Sequence, residues 1–391
     1  MRIKPALTVI CVLIISTLLL SACGGVPGDG GGTIKIGLNI EVTGGVPKVG
    51  EQSKFAAEMF LKEHPTVEIG GVEYKLELVI ADNNYTGEGA AAAANKLITQ
   101  DNVHVIVGPN ASVAAVPAGE VANNLETPMI SPWSTNPDTT FNRPWVFRVP
   151  FLDPFQGPVL ANFITEEFGI DKACVLFDIA SDYPKGLADN FKASWEELHG
   201  AGSLMAFETF TSGDQDFSAQ LTKIKGAGCA VLFTPQYYNE VPLIVAQAQE
   251  LDLGMPIVGS DSWGDPQTVE LCGSACDGYF FSTHYVAAGA TGATKEFIDQ
   301  YNSEYGYIPG DVAALSWDAM LLVVRALENC GEITGDLAQD RTCIRDGMAE
   351  ITDFAGITGN MTFDEQGDPI KCAVIVRIVD QEFQAYKSAC P

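Results

Sequence analysis

Short apolar runs alternate with longer amphipathic segments along most of the chain. The runs Ile34–Ile40, Val103–Val107 and Met129–Ser131 contain few polar positions, which is typical of strands buried in a parallel sheet. Between them, segments such as Glu51–Lys62 and Ser112–Asn124 space their apolar residues as one face of a helix does. This strand–helix–strand order predicts a parallel sheet that is covered by helices on both faces.

The same alternation restarts after residue 150. Asp153–Phe168 is predicted as a helix and Cys174–Asp178 as a strand, and the pattern continues to a strand at Gly278–Ser282. Later predicted elements are the helices Lys295–Tyr305, Val312–Glu328 and Arg341–Glu350 and the strands Met361–Phe363, Ala373–Val379 and Phe383–Tyr386. The predicted fold class is therefore α/β, with two doubly wound Rossmann-like lobes in series.

The first residues have a different pattern. Arg2 and Lys4 are followed by an uncharged run over Pro5–Leu20 and then by Leu-Ser-Ala-Cys, which is typical of a secretory signal rather than of a membrane span. The ending resembles the lipobox of bacterial lipoproteins, which are cut before a cysteine that then carries lipid. We expect residues 1–22 to be a signal peptide, Cys23 to be lipidated and residues 23–33 to be a flexible Gly-rich tether. An ordinary signal with a chance cysteine is the alternative.

Charge and missing motifs narrow the function classes. The chain has 22 basic and 50 acidic side chains, and a field of this sign repels nucleic acids and anionic membrane surfaces. The sequence contains no nucleophile elbow, P-loop, dinucleotide fingerprint or His-Glu-x-x-His motif. No later apolar run approaches the roughly 20 residues of a membrane span, so we expect an exported body that is held by lipid alone.

Eight cysteines follow Cys23, and an even number in an exported protein suggests disulfides. Their positions suggest local pairs, the first of them between neighbouring strands. The expected pairs are Cys174–Cys229, Cys272–Cys276, Cys330–Cys343 and Cys372–Cys390. A metal site is the alternative, but the Cys-x-x-Cys spacing and nearby histidines typical of thiolate sites are absent from the sequence.

Hydroxyl, aromatic and carboxylate side chains recur directly after five predicted strands. They are Asn110, Ala111 and Ser112; Trp133, Ser134 and Thr135; Tyr183; Tyr237 and Tyr238; and Asp261. Ligands of open α/β sheets bind beyond the carboxyl ends of the strands. Taken singly, Ser112 and Asp261 are explained as helix caps and Thr135 as a turn former. Taken together, the five strand ends predict a ligand cleft between two lobes.

Further short motifs are spread along the chain in a characteristic order. They are Ile34–Gly37 with Thr43-Gly44, Val107–Ser112, Met129–Pro132 with Ser134–Pro137, Leu152-Asp153 with Gln156–Pro158, Asp214–Ser218, and Gly359 with Phe363-Asp364 and Gly367-Asp368. In order and spacing they resemble the periplasmic Leu/Ile/Val-binding proteins of ABC transporters. The resemblance covers nearly all of the chain after the signal and implies the type I periplasmic binding fold, in which two lobes close around a ligand.

The resemblance implies roles for residues that would hold an amino acid. Ser112 and Thr135 would bind its α-carboxylate through hydroxyls and backbone N–H groups. Trp133 stands where the family has a backbone carbonyl facing the α-ammonium, and Asp261 stands where it has an acidic partner for that ammonium. This agrees with physical chemistry, since both charges of a buried zwitterion need partners. Trp133 replaces a small residue, and a core aromatic at the hinge is its alternative role.

Other positions match the wall of the family's side-chain pocket. Tyr183 matches one pocket aromatic, and Tyr237 or Tyr238 matches another. Val49 falls where the family often has an aromatic residue, and Asn110 puts a polar group where the wall is usually apolar. The ligand is therefore expected to be an amino acid or an amino-acid-like molecule, of branched-chain or hydrophobic type by family; polar amino acids, short amides and urea-like ligands remain open.

The resemblance also implies an organisation and a set of partners. Lobe one is expected at residues 34–152 plus 284–355, and lobe two at residues 153–283 plus 356–391. The expected protein is a monomeric binding component without cofactor, metal or enzyme activity, whose closed form docks on an ABC permease driven by a partner ATPase. An exported ligand sensor on the same fold and an exported enzyme on a doubly wound fold are the alternatives.

Overall fold

The computed structural model describes residues 31–391, which contain sixteen strands and eleven helices. The strands are β1 (Thr33–Ile40), β2 (Thr66–Ile69), β3 (Val72–Asp82), β4 (Val105–Val107), β5 (Met129–Ser131), β6 (Val146–Arg148), β7 (Ala173–Asp178), β8 (Leu204–Phe210), β9 (Val231–Phe233), β10 (Ile257–Val258), β11 (Phe280–Thr283), β12 (Phe354–Gly356), β13 (Gly359–Phe363), β14 (Pro369–Ile370), β15 (Ala373–Val379) and β16 (Glu382–Ala389). The helices are α1 (Pro47–Glu63), α2 (Gly87–Thr99), α3 (Ser112–Asn124), α4 (Asp153–Phe168), α5 (Asp182–His199), α6 (Ser218–Ala227), α7 (Val241–Glu250), α8 (Gln267–Cys272), α9 (Gly292–Tyr305), α10 (Asp311–Cys330) and α11 (Leu337–Ala349).

The first lobe is built on a six-stranded sheet with the order β2-β3-β1-β4-β5-β6. All neighbours pair in parallel except β2 and β3, which form an antiparallel hairpin. Leu38 of β1 pairs with Val107 of β4, and Val107 pairs with Ile130 of β5. These three strands therefore end at the same edge of the sheet, and the loops that follow them emerge side by side.

The second lobe is built on a seven-stranded sheet with the order β16-β15-β11-β10-β9-β7-β8. The strands from β7 to β11 run parallel, whereas β15 is antiparallel to both β11 and β16. The chain thus forms two parallel-sheet lobes with crossover helices. The predicted α/β class with two doubly wound lobes is confirmed.

Apolar strand residues and helix faces form the core of each lobe. In the first lobe Ile36, Leu38 and Val105 are fully buried, and the ring centroid of Trp317 on α10 lies 5.1 Å from that of Phe60 on α1. The late helix α10 therefore packs on the first lobe although it follows the second lobe in sequence. The resemblance implied a first lobe in two parts, at residues 34–152 and 284–355, and this division stays a prediction.

A small third sheet, β12-β13-β14, lies in sequence between β11 and β15 of the second sheet. The loops that join its strands bond to the first lobe: the backbone N–H groups of Ile357 and Thr358 donate to Asp318 at 2.8 and 2.9 Å, and Asp368 forms an ion pair with Arg148. The chain returns to the second sheet at β15, and the boundary predicted at residue 356 falls at the end of β12. The exact lobe boundaries remain predictions.

The eight cysteines form the four pairs that the sequence suggested. They are Cys174–Cys229, Cys272–Cys276, Cys330–Cys343 and Cys372–Cys390, with Cα–Cα distances of 5.7, 5.7, 5.4 and 4.1 Å. Residues 31–391 contain no group of three or more His, Cys, Asp or Glu side chains that would suit a metal ion.

The predictions for the first residues concern a part of the chain that the structure does not describe. The signal peptide at residues 1–22, the lipidated Cys23 and most of the tether at 23–33 lie outside residues 31–391. Within the described residues, no helix combines the length and apolar character needed to cross a bilayer.

Candidate functional site

A small cavity lies between the lobes, where the carboxyl ends of their parallel strands face each other. Seven residues line it, all of them on the list of candidates from the sequence. The first lobe provides Asn110, Ala111, Ser112 and Trp133, and the second lobe provides Tyr183, Tyr237 and Asp261. Residues up to 151 positions apart in sequence therefore line one cavity, because the carboxyl ends of the strands in both sheets face the cleft.

The loop between β4 and α3 gives the cavity its first-lobe wall. Gly108 has a φ of +95°, and a Cβ at this position would lie 2.1 Å from the backbone oxygen of Asn39, so the close approach of this loop to β1 requires glycine. Ser112 is the first residue of α3. Its hydroxyl lies 2.8 Å from the Ser134 hydroxyl, which in turn lies 2.7 Å from that of Thr139. A chain of hydroxyls therefore supports the cavity wall at the start of the helix.

Asp261 provides the carboxylate on the second-lobe side. It follows β10 and begins a short 3-10 turn, and it is only 1% exposed. Its Oδ1 accepts hydrogen bonds from Gln156 Nε2 at 2.7 Å and from the Tyr183 hydroxyl at 2.6 Å. Both donors are neutral, so they orient the carboxylate without cancelling its charge.

His284 is the other neighbour of this carboxylate. Its Nε2 lies 3.4 Å from Asp261 Oδ2, and burial lowers the pKa of the imidazole to about 4. The ring is therefore neutral at neutral pH. In residues 31–391 no lysine or arginine forms an ion pair with Asp261, so the cavity holds a buried negative charge that the protein does not balance.

Two more buried acids lie near this charge, and the sequence reasoning assigned a role to neither. Asp311, at the start of α10, accepts a hydrogen bond from Trp133 Nε1 at 3.2 Å; burial, together with the charge of Asp261, raises its pKa well above the usual value. Asp153, at the start of α4, has no hydrogen-bond partner for either carboxylate oxygen among the described residues. Burial raises the Asp153 pKa to about 8; the charge of Asp261 adds to this rise, while the nearby Thr135 hydroxyl and the Arg148 charge oppose it.

A third missed residue is Glu41, which directly follows β1 and is fully buried. Its carboxylate accepts hydrogen bonds from the backbone N–H groups of Asn110 and Ala111, both at 3.1 Å, and from Asn110 Nδ2 at 2.7 Å. Asn83 Nδ2 donates as well, at 3.3 Å. Burial raises the pKa of Glu41, while these donors oppose that rise. Glu41 obeys the same strand-end rule as the seven lining residues, and that rule was the available signal.

The two lobes touch each other around the cavity. Gln52 Nε2 on α1 donates to Asp265 Oδ2 at 2.7 Å, and the backbone N–H of Lys48 donates to the Tyr238 hydroxyl at 3.3 Å. The rings of Trp133 and Tyr237 also meet across the cleft, with their centroids 5.8 Å apart. The cleft is therefore closed in this structure.

Four candidate residues do not line the cavity. Ser134 supports Ser112 from behind, and Thr135 is fully buried with no partner for its hydroxyl among the described residues. Tyr238 points its hydroxyl at the backbone of Lys48, and Val49 is fully buried in the core of the first lobe. Direct roles for these four in ligand binding remain predictions.

Comparisons with known proteins give the family. A model described as "Periplasmic binding protein" matches residues 33–382. A protein of Pseudomonas aeruginosa named as a leucine-, isoleucine-, valine-, threonine- and alanine-binding protein is 30% identical over 339 residues, which are 86% of this chain and 87% of that one.

Two solved structures agree with this assignment. The leucine-binding protein LivK of Thermotoga maritima superposes with a TM-score of 0.84 at 31% identity, over 92% of this chain and 99% of that one. LivJ of Streptococcus pneumoniae, a substrate-binding protein of a branched-chain amino acid transporter solved with isoleucine, gives a TM-score of 0.82 at 31% identity, over 92% and 100%. The resemblance seen in the sequence is confirmed, and this chain belongs to the periplasmic binding proteins, an extracytoplasmic family that binds solutes rather than converting them.

Proposed function

We propose that this protein is the substrate-binding component of an ABC importer and that it binds an α-amino acid in the closed cleft. The observation that carries the proposal is the Asp261 carboxylate of one lobe, which no protein cation balances, together with the Ser112 hydroxyl at a helix start of the other lobe. This pair of features suits a ligand that carries both a cation and an anion.

The ammonium of the ligand fits the Asp261 side. A buried carboxylate without a cation costs free energy, and a ligand ammonium would supply the missing charge on binding. Gln156 and Tyr183 already hold Oδ1, whereas Oδ2 has only the neutral His284 at 3.4 Å. An ammonium that donates to Oδ2 would thus complete the hydrogen bonding of Asp261.

The carboxylate of the ligand fits the Ser112 side. Ser112 begins the 13-residue helix α3, and the N-terminus of a helix favours an anion because its first N–H groups lack partners and its dipole is positive there. The hydroxyl of Ser112 adds a neutral donor. Binding the anion by neutral groups also avoids burying a protein cation in addition to the ammonium of the ligand.

The relatives support an amino acid as the ligand class. The Pseudomonas protein is named for five amino acids, and the Streptococcus structure holds isoleucine. The full proposal adds a lipid anchor at Cys23, a Gly-rich tether, a monomeric body and a permease with its ATPase as partners. The lipid would keep the closed receptor near the permease that it serves.

Calorimetric titration with a panel of amino acids tests the proposal. We expect micromolar or tighter binding of at least one amino acid, and a loss of about 100-fold or more in Asp261→Asn, which keeps the shape but removes the charge. Asp171→Asn, an exposed change on the same lobe, should bind as the wild type does. Wild-type protein that binds no amino acid would refute the proposal, and full affinity in Asp261→Asn would refute the assigned role of Asp261.

A further inference from the structure

The side chain of Asn110 has an orientation that its neighbours dictate. Glu41 accepts hydrogen bonds from both the backbone N–H and the Nδ2 of Asn110. An ionised carboxylate can only accept hydrogen bonds, so the amide must turn its NH₂ group toward Glu41 and its oxygen away. Glu41 thus fixes which end of the Asn110 amide is free.

The free end is an acceptor without a donor. Asn110 is fully buried and lines the cavity, and its Oδ1 has no hydrogen-bond partner in the described part of the chain. A buried acceptor in this state costs free energy until a donor reaches it. Of the other first-lobe residues of the wall, Ala111 has no side-chain donor, and Trp133 Nε1 is bonded to Asp311. The Ser112 hydroxyl is paired with the Ser134 hydroxyl at 2.8 Å.

The hydroxyl of Tyr237 differs from this acceptor. The Tyr237 side chain is 2% exposed, and its hydroxyl lies beside those of Ser181 and Tyr85. It therefore has polar neighbours within the protein, whereas an aliphatic ligand side chain would leave Asn110 Oδ1 unsatisfied.

We infer that the ligand is a small amino acid whose side chain carries a hydrogen-bond donor, and that Asn110, oriented by Glu41, selects it. This inference rests on the proposed function, since it describes the side-chain end of the same site. The closed lobes leave little space among the seven lining residues, which favours a small ligand. Glu41 is a positioning residue, because it acts on the ligand only through Asn110.

Threonine and valine form the first pair of probes, because they have the same shape and differ by a hydroxyl in place of a methyl. We expect the wild type to bind threonine at least about tenfold more tightly than valine, since only threonine satisfies a buried acceptor. Asn110→Leu should abolish this preference. Asn95→Leu, an exposed change on α2 of the same lobe, should leave it intact.

O-methylserine and norvaline test the role of Glu41, because they differ only by an ether oxygen in place of a methylene. In the wild type the ether oxygen faces another acceptor, so norvaline should bind more tightly. In Glu41→Gln, the new amide donates to Asn110 Oδ1, and the Asn110 NH₂ then turns toward the ligand. O-methylserine should become the tighter ligand, a reversal that general loosening of the site would not produce.

The outcomes separate this inference from the proposed function. If valine binds as tightly as threonine while Asp261→Asn still abolishes binding, the function stands and the inference is overturned. If the O-methylserine to norvaline ratio is unchanged in Glu41→Gln, the positioning role is overturned. If no amino acid binds, the proposed function itself fails. Circular dichroism of both variants checks that they are folded, and Glu41→Gln gives its own answer should Asn110→Leu not fold.

Discussion

The two sides of the cavity bury carboxylates in opposite ways. On the first lobe, Glu41 accepts four hydrogen bonds from Asn83, Asn110 and Ala111, so both of its carboxylate oxygens are hydrogen-bonded. At the start of α4, Asp153 is equally buried, and neither of its carboxylate oxygens has a hydrogen-bond partner among the described residues. Burial raises the pKa of both groups, but only Glu41 has several donors that oppose the rise.

This difference teaches how one site uses buried acids for two purposes. A carboxylate that is satisfied inside the protein acts as a structural anion and holds a loop and a side chain in place. A carboxylate that is not satisfied keeps a free-energy cost that a proton or a ligand cation can relieve. Asp261 lies between these extremes, because neutral donors orient it but no protein cation balances it.

Among the substitutions that test this comparison, Glu41→Ala should have the largest effect on the stability of the protein. The change removes the acceptor for four buried N–H groups, so we expect the free energy of unfolding to fall by about 3 kcal/mol. Urea unfolding followed by circular dichroism measures this. Glu332→Ala, at an exposed loop position on the same lobe, should change stability by less than about 0.5 kcal/mol. Equal stabilities for the two variants would show that Glu41 is not a structural anion.

The next largest effect is the contribution of Asp153 to the pH dependence of stability. Its folded pKa of about 8 lies above the unfolded value near 3.9, so the folded state holds an extra proton between these pH values. Stability therefore falls as pH rises through this window, by up to about 1.4 kcal/mol per pH unit. Asp153→Asn should remove this slope and should unfold at a higher urea concentration than the wild type at pH 7.5.

Unfolding at pH 5, 6 and 7.5 checks this sign. The matched control is Asp171→Asn, an exposed change in the same lobe, which should keep the wild-type slope. If Asp153→Asn unfolds with the same pH dependence as the wild type, Asp153 is ionised in the folded protein and the contrast with Glu41 disappears. Because both variants keep the other buried acids, the difference between their slopes reports the titration of Asp153.

Much of the site could be predicted from the sequence, because strand ends are recognisable and parallel strands bring them together. Ser112 and Asp261 were found in this way, and Glu41 follows β1 and could have been found by the same rule. Asp311 could not, since it opens a helix far along the chain and enters the site only because α10 returns to the first lobe. Whether Ser134 and Thr135 face the cavity depends on the rotation of a short loop, which side-chain type alone does not fix.

The smallest effect should come from the contacts that hold the lobes together beside the cavity. Gln52 on α1 donates to Asp265, whose pKa is raised to about 6 by burial, and Gln52 Oε1 also accepts the N–H of Gly310 at 3.0 Å. Gln52→Ala removes a bond that exists only when the lobes are closed, so closure becomes less favourable. The energy of one hydrogen bond predicts a fall in ligand affinity of about three- to tenfold.

This fall should differ in kind from that of Asp261→Asn. Because Gln52 does not line the cavity, its loss should weaken all amino acid ligands by the same factor and leave the threonine-to-valine ratio unchanged. Calorimetry with both ligands measures this ratio, and small-angle scattering measures how far the unliganded protein opens. A changed ratio would mean that Gln52 also affects the ligand pocket. Residues of α1 would then contribute to ligand selection as well as to the contact between the lobes.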